Sequence, residues 1–214
     1  MPGDKPTPVN KDWPGHVLVA GVMGSGKTWT ALHLIGKQGA VFFDPNADAQ
    51  VDQTGLQVIR TDWSVSAVRI WRLARPGWLV HYTPHSSASA TAEISAICRE
   101  APTRRGQALQ LVIDEAQQVA EQGKVPFLLH DLWDRGRHRN VQIILSTPVP
   151  QLVDYHLRLT ASTKVLHRLE WSPWLSNWGL SEGELSALQN HDAIWLSAGS
   201  RKMVKGSEGH GQAR

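Results

Sequence analysis

One cysteine, Cys98, in 214 residues excludes a disulfide within the chain and a zinc site built from four thiolates. A reducing compartment is the expectation. No stretch approaches the ~18 consecutive apolar residues of a membrane span, and the polar, proline-rich start MPGDKPTPVNKDWPG has no apolar signal-peptide core. A soluble intracellular protein follows as the expectation. Internal repeats are absent, and the ten histidines are scattered without ligand spacing, so no protein-held transition metal is expected. A formal charge of +3 permits a polyanionic partner without requiring one.

What is present is a regular alternation. Apolar runs of strand length occur at 16–20, 40–44, 56–61, 78–83, 109–114, 141–147, 164–169 and 193–197. Several are nearly continuous, as in strands covered on both faces. Helix-period segments separate them at 27–36, 64–74, 88–100, 126–135, 149–158 and 181–189. Ser181 and Glu184 have capping-box spacing, and Pro126 suits a first helical turn. The pattern predicts an α/β fold with a doubly wound, mostly parallel sheet and helices on both faces. It divides the chain into a flexible arm (1–14), one domain (15–198) and a flexible basic, glycine-rich tail (199–214).

Immediately after the first strand comes GVMGSGKT, residues 21–28, a complete G-x-x-x-x-G-K-[ST] phosphate loop in the strand-to-helix context that the motif requires. Gly21, Gly24 and Gly26 let the main chain curl until several N–H groups, Ser25 among them, converge on an anion. Lys27 would reach the β/γ-phosphate oxygens of ATP, and the Thr28 hydroxyl would ligate magnesium. The run LQLVIDEAQQVA then carries a buried strand into Asp114 and Glu115. Asp114 is suited to the magnesium shell and Glu115 to polarising the attacking water as general base. An ordinary Asp-Glu helix cap is the bland alternative for this pair.

An apolar strand ending in such an acid pair resembles the ASCE, RecA-like branch of P-loop NTPases. GTPases look different, since no N-K-x-D follows the loop. IDEAQ also resembles thymidine kinases, whose zinc ribbon needs cysteines this chain lacks, and superfamily-one helicases, which need two lobes. LWDRGRHRNVQIILSTPVPQLVDYHLR, residues 132–158, resembles the FtsK/HerA superfamily of DNA-pumping ATPases, and VFFDPNAD and LSEGELSALQNHDAIWLS resemble further landmarks of it. Together these cover most of residues 16–197. The length resembles the nearly bare packaging ATPases of tailless icosahedral viruses with internal membranes.

That resemblance implies a magnesium- and ATP-dependent motor on double-stranded DNA. It implies a homo-oligomeric ring, a hexamer by family analogy, docked at a capsid vertex or membrane protein, in the host cytoplasm or on the virion. Arg137 falls at the position of an arginine finger inserted from a neighbouring subunit, with Arg135 and Arg139 as rivals. The family's glutamine sensor is replaced by Pro148, leaving Ser146 and Thr147 as candidate sensors. Filamentous-phage assembly ATPases of the zonula-occludens-toxin type are also similar, although they carry a membrane span after the core. A nucleoside-kinase-type phosphotransferase is the reading from a different class.

Sequence-independent DNA binding would use phosphate contacts. Arg104 and Arg105, then Arg201, Lys202 and Lys205, are the candidates, against the plain reading of solubilising charge. Trp171, Trp174 and Trp178 have helical spacing and read as packing groups rather than as a base-stacking platform. Cys98 reads as a small buried apolar residue.

Overall fold

The computed structural model describes residues 15–35, 37–102 and 108–205. Seven parallel strands, β1 (Val17–Ala20), β2 (Gly39–Phe43), β3 (Gln57–Asp62), β4 (Trp78–Thr83), β5 (Leu109–Ile113), β6 (Val141–Thr147) and β7 (Thr163–Leu166), form most of one sheet. An antiparallel hairpin of β8 (Ala193–Ser197) and β9 (Ser200–Val204) closes one edge, giving the order β3-β4-β2-β5-β6-β1-β7-β8-β9. The helices are α1 (Lys27–His33), α2 (Ala67–Leu73), α3 (Ser87–Arg99), α4 (Phe127–Arg139), α5 (Tyr155–Thr160) and α6 (Glu182–Ser186). None is long and apolar enough to cross a membrane.

The continuous apolar runs are explained by where alternate side chains go. Val41, Phe43, Leu111, Ile113 and Leu145 join one core layer with Ile70, Ile94 and Leu132 of α2, α3 and α4. Their neighbours Ala40, Phe42, Val112 and Ile144 join the opposite layer with Ala31 and Leu32 of α1. A strand with both faces covered has no polar face to alternate with. A third cluster, built on Leu166, Leu175, Leu180 and Leu185, is covered by half-buried Trp171, Trp174 and Trp178. The tryptophans therefore pack, and Cys98 is a buried free thiol.

Several boundaries differ from the sequence expectation for local reasons. The helix expected over 149–158 is interrupted: Pro150 opens a single turn of 3-10 helix, Val153 bridges to Glu121, and Asp154 restarts the chain by accepting the His156 N–H at 2.9 Å. The helix expected over 126–135 continues to Arg139 and stops where Asn140 adopts a left-handed conformation. Pro126 is its N-cap rather than a first-turn residue. Ser181 and Glu184 do form the expected capping box, the Ser181 N–H donating to Glu184 at 2.9 Å. Residues 200–204, assigned to a flexible tail, are β9; the turn at Gly199 (φ 75°) folds this polar segment back onto β8. The arm 1–14 and residues 206–214 lie outside the described residues.

A histidine ties the sheet to α4. His16 is 7% exposed and stacks on Trp133 at 4.3 Å. Its Nε2–H donates to the Trp133 carbonyl at 2.7 Å, and its unprotonated Nδ1 accepts the Ile143 N–H at 2.9 Å. Gly136 permits this approach, because a Cβ there would lie 2.7 Å from His16 Cε1 and 2.6 Å from the Val141 carbonyl. Burial lowers the His16 pKa to about 4, and burial likewise lowers that of His167 to about 4.

The unfolded chain takes up these two protons first, at the ordinary histidine pKa of about 6.5. Stability is therefore lost as pH falls from there towards 4. Unfolding free energy measured by urea titration is expected to be flat above about pH 7.5 and to fall by about 3 kcal/mol per histidine by pH 4. Imidazole resonances of His16 and His167 that titrate near pH 6.5 in the folded protein would contradict this.

Candidate nucleotide site

The phosphate loop leaves β1 between two neighbours that fix its entry. The Gly21 N–H donates to the Thr147 carbonyl of β6 at 3.1 Å, and the Val22 N–H to the Arg168 carbonyl beyond β7 at 2.9 Å. Gly26 carries φ 98°, a left-handed value that side chains resist. A Cβ there would also stand 2.7 Å from His191 Nδ1, while the His191 N–H donates to the Ser25 carbonyl at 3.2 Å. Lys27 and Thr28 follow in the first turn of α1.

Opposite them, β5 ends in the acid pair. Register places Ala20 beside Thr147 and Ile113 beside Leu145, so the end of β6, Ser146 and Thr147, lies between the two motif strands. The Thr28 hydroxyl donates to Asp114 Oδ2 at 3.1 Å. Lys27, only 7% exposed, holds its ammonium 3.4 Å from Glu115 Oε1. Burial pushes the Asp114 carboxyl above its usual pKa, while Ser146, Lys27 and Thr28 favour its charged form. The buried Ser146 hydroxyl nevertheless makes no hydrogen bond of ordinary geometry.

Glu115 has φ 46° and ψ 47°, a left-handed conformation rare outside glycine and asparagine. That turn ends the strand, and the side chain lies against Lys27. Gln117 then connects two motifs: its Nε2 donates to Glu115 Oε2 at 2.7 Å, and its Oε1 accepts the Thr147 hydroxyl at 2.8 Å. A polar chain thus runs from Thr147 through Gln117 and Glu115 to Lys27.

A cavity of about 390 Å³ opens over these groups, lined by Gly24, Lys27, Thr28, Asp114 and Glu115, and by Asn46 and Asp48 after β2. The loop after β2 is organised by Asp44, which is fully buried and accepts the N–H groups of Asn46, Ala47 and Ala49 at 3.2, 3.0 and 3.0 Å. His81 Nε2–H donates to it at 2.9 Å. Burial would raise the Asp44 pKa, but His81 and the amides outweigh it and hold the group below the usual value. Pro148 lines the cavity, whereas Thr147 connects to it by way of Gln117. A smaller cavity of about 160 Å³ adjoins the loop through His191 and is walled by Trp29, His167 and Trp195. There His167 donates from Nδ1 to the Asp192 carbonyl at 2.9 Å and accepts the Thr30 hydroxyl at Nε2, 3.0 Å away.

The structure separates three arginines that spacing leaves equivalent. Arg135 pairs with Asp131 at 2.9 Å, and Arg139 lies 3.7 Å from Asp131 and donates to the Ala101 carbonyl at 3.3 Å. Arg137 is exposed in the last turn of α4 and makes no ion pair among the described residues. Arg201 is engaged by Glu184 and the Gly179 carbonyl, while Arg104 and Arg105 lie outside the described residues. Asp44, Gln117, His167 and His191 carried no assigned role in the sequence. Gln117 stands two places after Glu115 and could have been suspected, but the contacts of His167 and His191 are long-range.

Chemically, the arrangement offers an anion cradle, one buried cation, a carboxylate paired with it, and two hard oxygen donors. Thr28 and Asp114 are oxygen ligands of the kind magnesium prefers alongside phosphate and water, so the donor set fits that ion.

Comparison with known proteins adds a family and a set of similar folds. The family model for the AAA domain matches residues 11–152. No curated protein matches the chain. The genome packaging NTPase B204 from Sulfolobus turreted icosahedral virus 2, in complex with AMP, is similar with a TM-score of 0.68 at 18% identity, over 89% of this chain and 96% of that one. VirB4 of Thermoanaerobacter pseudethanolicus is similar at 0.61 and 11% identity, over 89% and 88%. EssC (ATPases 2 and 3) from Geobacillus thermodenitrificans is similar at 0.60 and 12% identity, over 88% of this chain and 39% of that one. At such identities the likeness is one of fold, and that fold is the single RecA-like domain expected.

Replacing Gln117 with alanine removes both amide contacts and leaves the buried Thr147 hydroxyl without its acceptor. A loss of about 1–3 kcal/mol in unfolding free energy is expected by urea denaturation. Unchanged stability would mean that the Thr147–Gln117–Glu115 chain is not formed in solution.

Proposed function

Because this chain belongs to the AAA-domain family and is a P-loop ATP hydrolase, we propose that it is a ring-forming motor that moves double-stranded DNA, most specifically into a viral capsid. The observation that carries the ATPase half is the juxtaposition of Lys27 and Thr28 with Asp114 and Glu115 around one cavity. Supporting the motor half, the fold likeness to the genome packaging NTPase B204 spans nearly the whole of both chains. Structures of that protein also hold ATP-gammaS and AMPPCP. Neither a nucleoside kinase nor a filamentous-phage assembly ATPase gains support from these likenesses.

In the proposed reaction the loop N–H groups and Lys27 take the β- and γ-phosphates. Lys27 must leave Glu115 for the phosphate oxygens, and Glu115 is then free to accept a proton from water. The water oxygen forms a bond to the γ-phosphorus as the bond to the bridging oxygen of ADP breaks. Gln117 orients Glu115 and links it to Thr147, which gives the strand between the motifs a role despite Pro148. Thr28 and Asp114 would hold magnesium, which neutralises phosphate charge when bound.

Charge developing on the transferred phosphoryl calls for a further cation, and Arg137 of a neighbouring subunit is the candidate, since Arg135 and Arg139 are occupied within their own chain. Such sharing requires a closed ring, for which a hexamer is the family expectation. Host cytoplasm or the virion is the corresponding location. Phosphate contacts to DNA would come from Arg104 and Arg105 and from exposed Lys202, rather than from Arg201.

ATP turnover is expected to rise with duplex DNA, to lose that rise as salt increases, and to disappear in Lys27→Ala. Arg137→Ala should lower turnover by about 10³-fold or more without preventing nucleotide binding. Mixing it with Glu115→Gln subunits should restore part of the rate, because each variant supplies what the other lacks. Stable mixed assemblies with no recovery would rule out the shared site, and indifference to DNA would rule out the motor.

A further inference from the structure

Helices α4 and α5 bring together side chains that are far apart in sequence and outside the nucleotide cavity. His130 and Asp134 are four residues apart on α4 and so share one face of it. His156 enters from the first turn of α5, its Nε2 2.8 Å from Asp134 Oδ1. The His130 and His156 rings stack with centroids 5.1 Å apart. One ligand atom from each of the three residues lies within 4.8 Å of the others. Asp154, largely buried at the N-cap of α5, adds a second carboxylate 3.6 Å from His130 Nε2.

We propose that His130, Asp134 and His156 form a three-ligand binding site for a zinc-class divalent ion, with water in the fourth position. Two imidazoles and a carboxylate are the donors that zinc and its transition-metal neighbours favour, whereas magnesium and calcium want oxygen alone. In a tetrahedral zinc site with bonds of about 2.0–2.1 Å, ligand atoms stand about 3.3 Å apart. The spacing of these three residues brackets that value: the 2.8 Å pair must open slightly, and the wider pairs among them must close by no more than about 1.5 Å, within reach of side-chain rotation. Asp134 and His156 are partly exposed, which gives an ion a way in.

The site would cross-link α5 to α4, alongside the hydrogen bond from Trp133 Nε1 to the Thr160 hydroxyl at 2.9 Å. It would thereby brace the helix whose last turn presents Arg137. The reading is independent of DNA and of turnover. It also departs from the sequence expectation of no transition metal, because only the His130–Asp134 half has helical ligand spacing and His156 arrives through the fold.

The test is calorimetric titration of the chelator-treated full chain with zinc, in excess magnesium so that the nucleotide site does not compete. One zinc per chain is expected, with cobalt giving the visible absorption of a four-coordinate site. His156→Gln, which keeps a hydrogen-bonding partner for Asp134, and His130→Gln should each weaken zinc binding by about tenfold or more while leaving ATP binding intact. Absence of stoichiometric zinc binding to the unaltered protein would overturn the proposal. So would zinc binding by both variants as tight as that of the unaltered protein.

Discussion

Burying an ammonium is costly unless an opposite charge faces it, and removing one partner of such a pair strands the other at about 3–5 kcal/mol. Lys27, almost wholly enclosed and 3.4 Å from Glu115, is in that position, and beside it Thr28 binds an Asp114 whose carboxyl is strained towards neutrality by burial. The cluster is stable only as a set. The cavity above it leaves room for an anion that would compete with Glu115 for the same lysine. On the proposed reading, substrate phosphate would take Lys27 from Glu115.

Much of the architecture serves to hold that cluster in place. Parallel strands buried on both faces deliver their carboxyl ends to one rim, and the order β5-β6-β1 sets the acid pair and the phosphate loop on either side of a single strand. The chain changes direction through left-handed conformations at Glu115, and at Gly26, where glycine adopts one without strain. Rigid polar anchors surround them, with Asp44 gathering three amides and His81 on one side and His167 bridging Thr30 to Asp192 on the other. The helices behind the sheet are tied in by a neutral buried imidazole, His16, rather than by another ion pair.

What the sequence discloses is what is contiguous. The loop 21–28 and the strand running into Asp114-Glu115 are legible because their chemistry depends on neighbours within eight residues, and the apolar runs are legible because burial on both faces leaves an unbroken pattern. β9 escaped notice because an exposed edge strand, SRKMV, has no buried face to reveal it. The interruption at Val153 and Asp154 depends on a bridge to Glu121 more than thirty positions earlier. Arg135, Arg137 and Arg139 differ only in what the folded helix sets beside them, and the His130–Asp134–His156 group exists only once α5 returns to α4.

The central claim is that Glu115 holds Lys27 until triphosphate displaces it. Its most direct test is the equilibrium affinity of Glu115→Gln for magnesium-ATP beside that of the unaltered chain. Loss of the competing carboxylate should tighten binding several-fold even as hydrolysis falls by about 10² or more. Weaker binding by the glutamine variant, measured where it remains folded, would contradict the account.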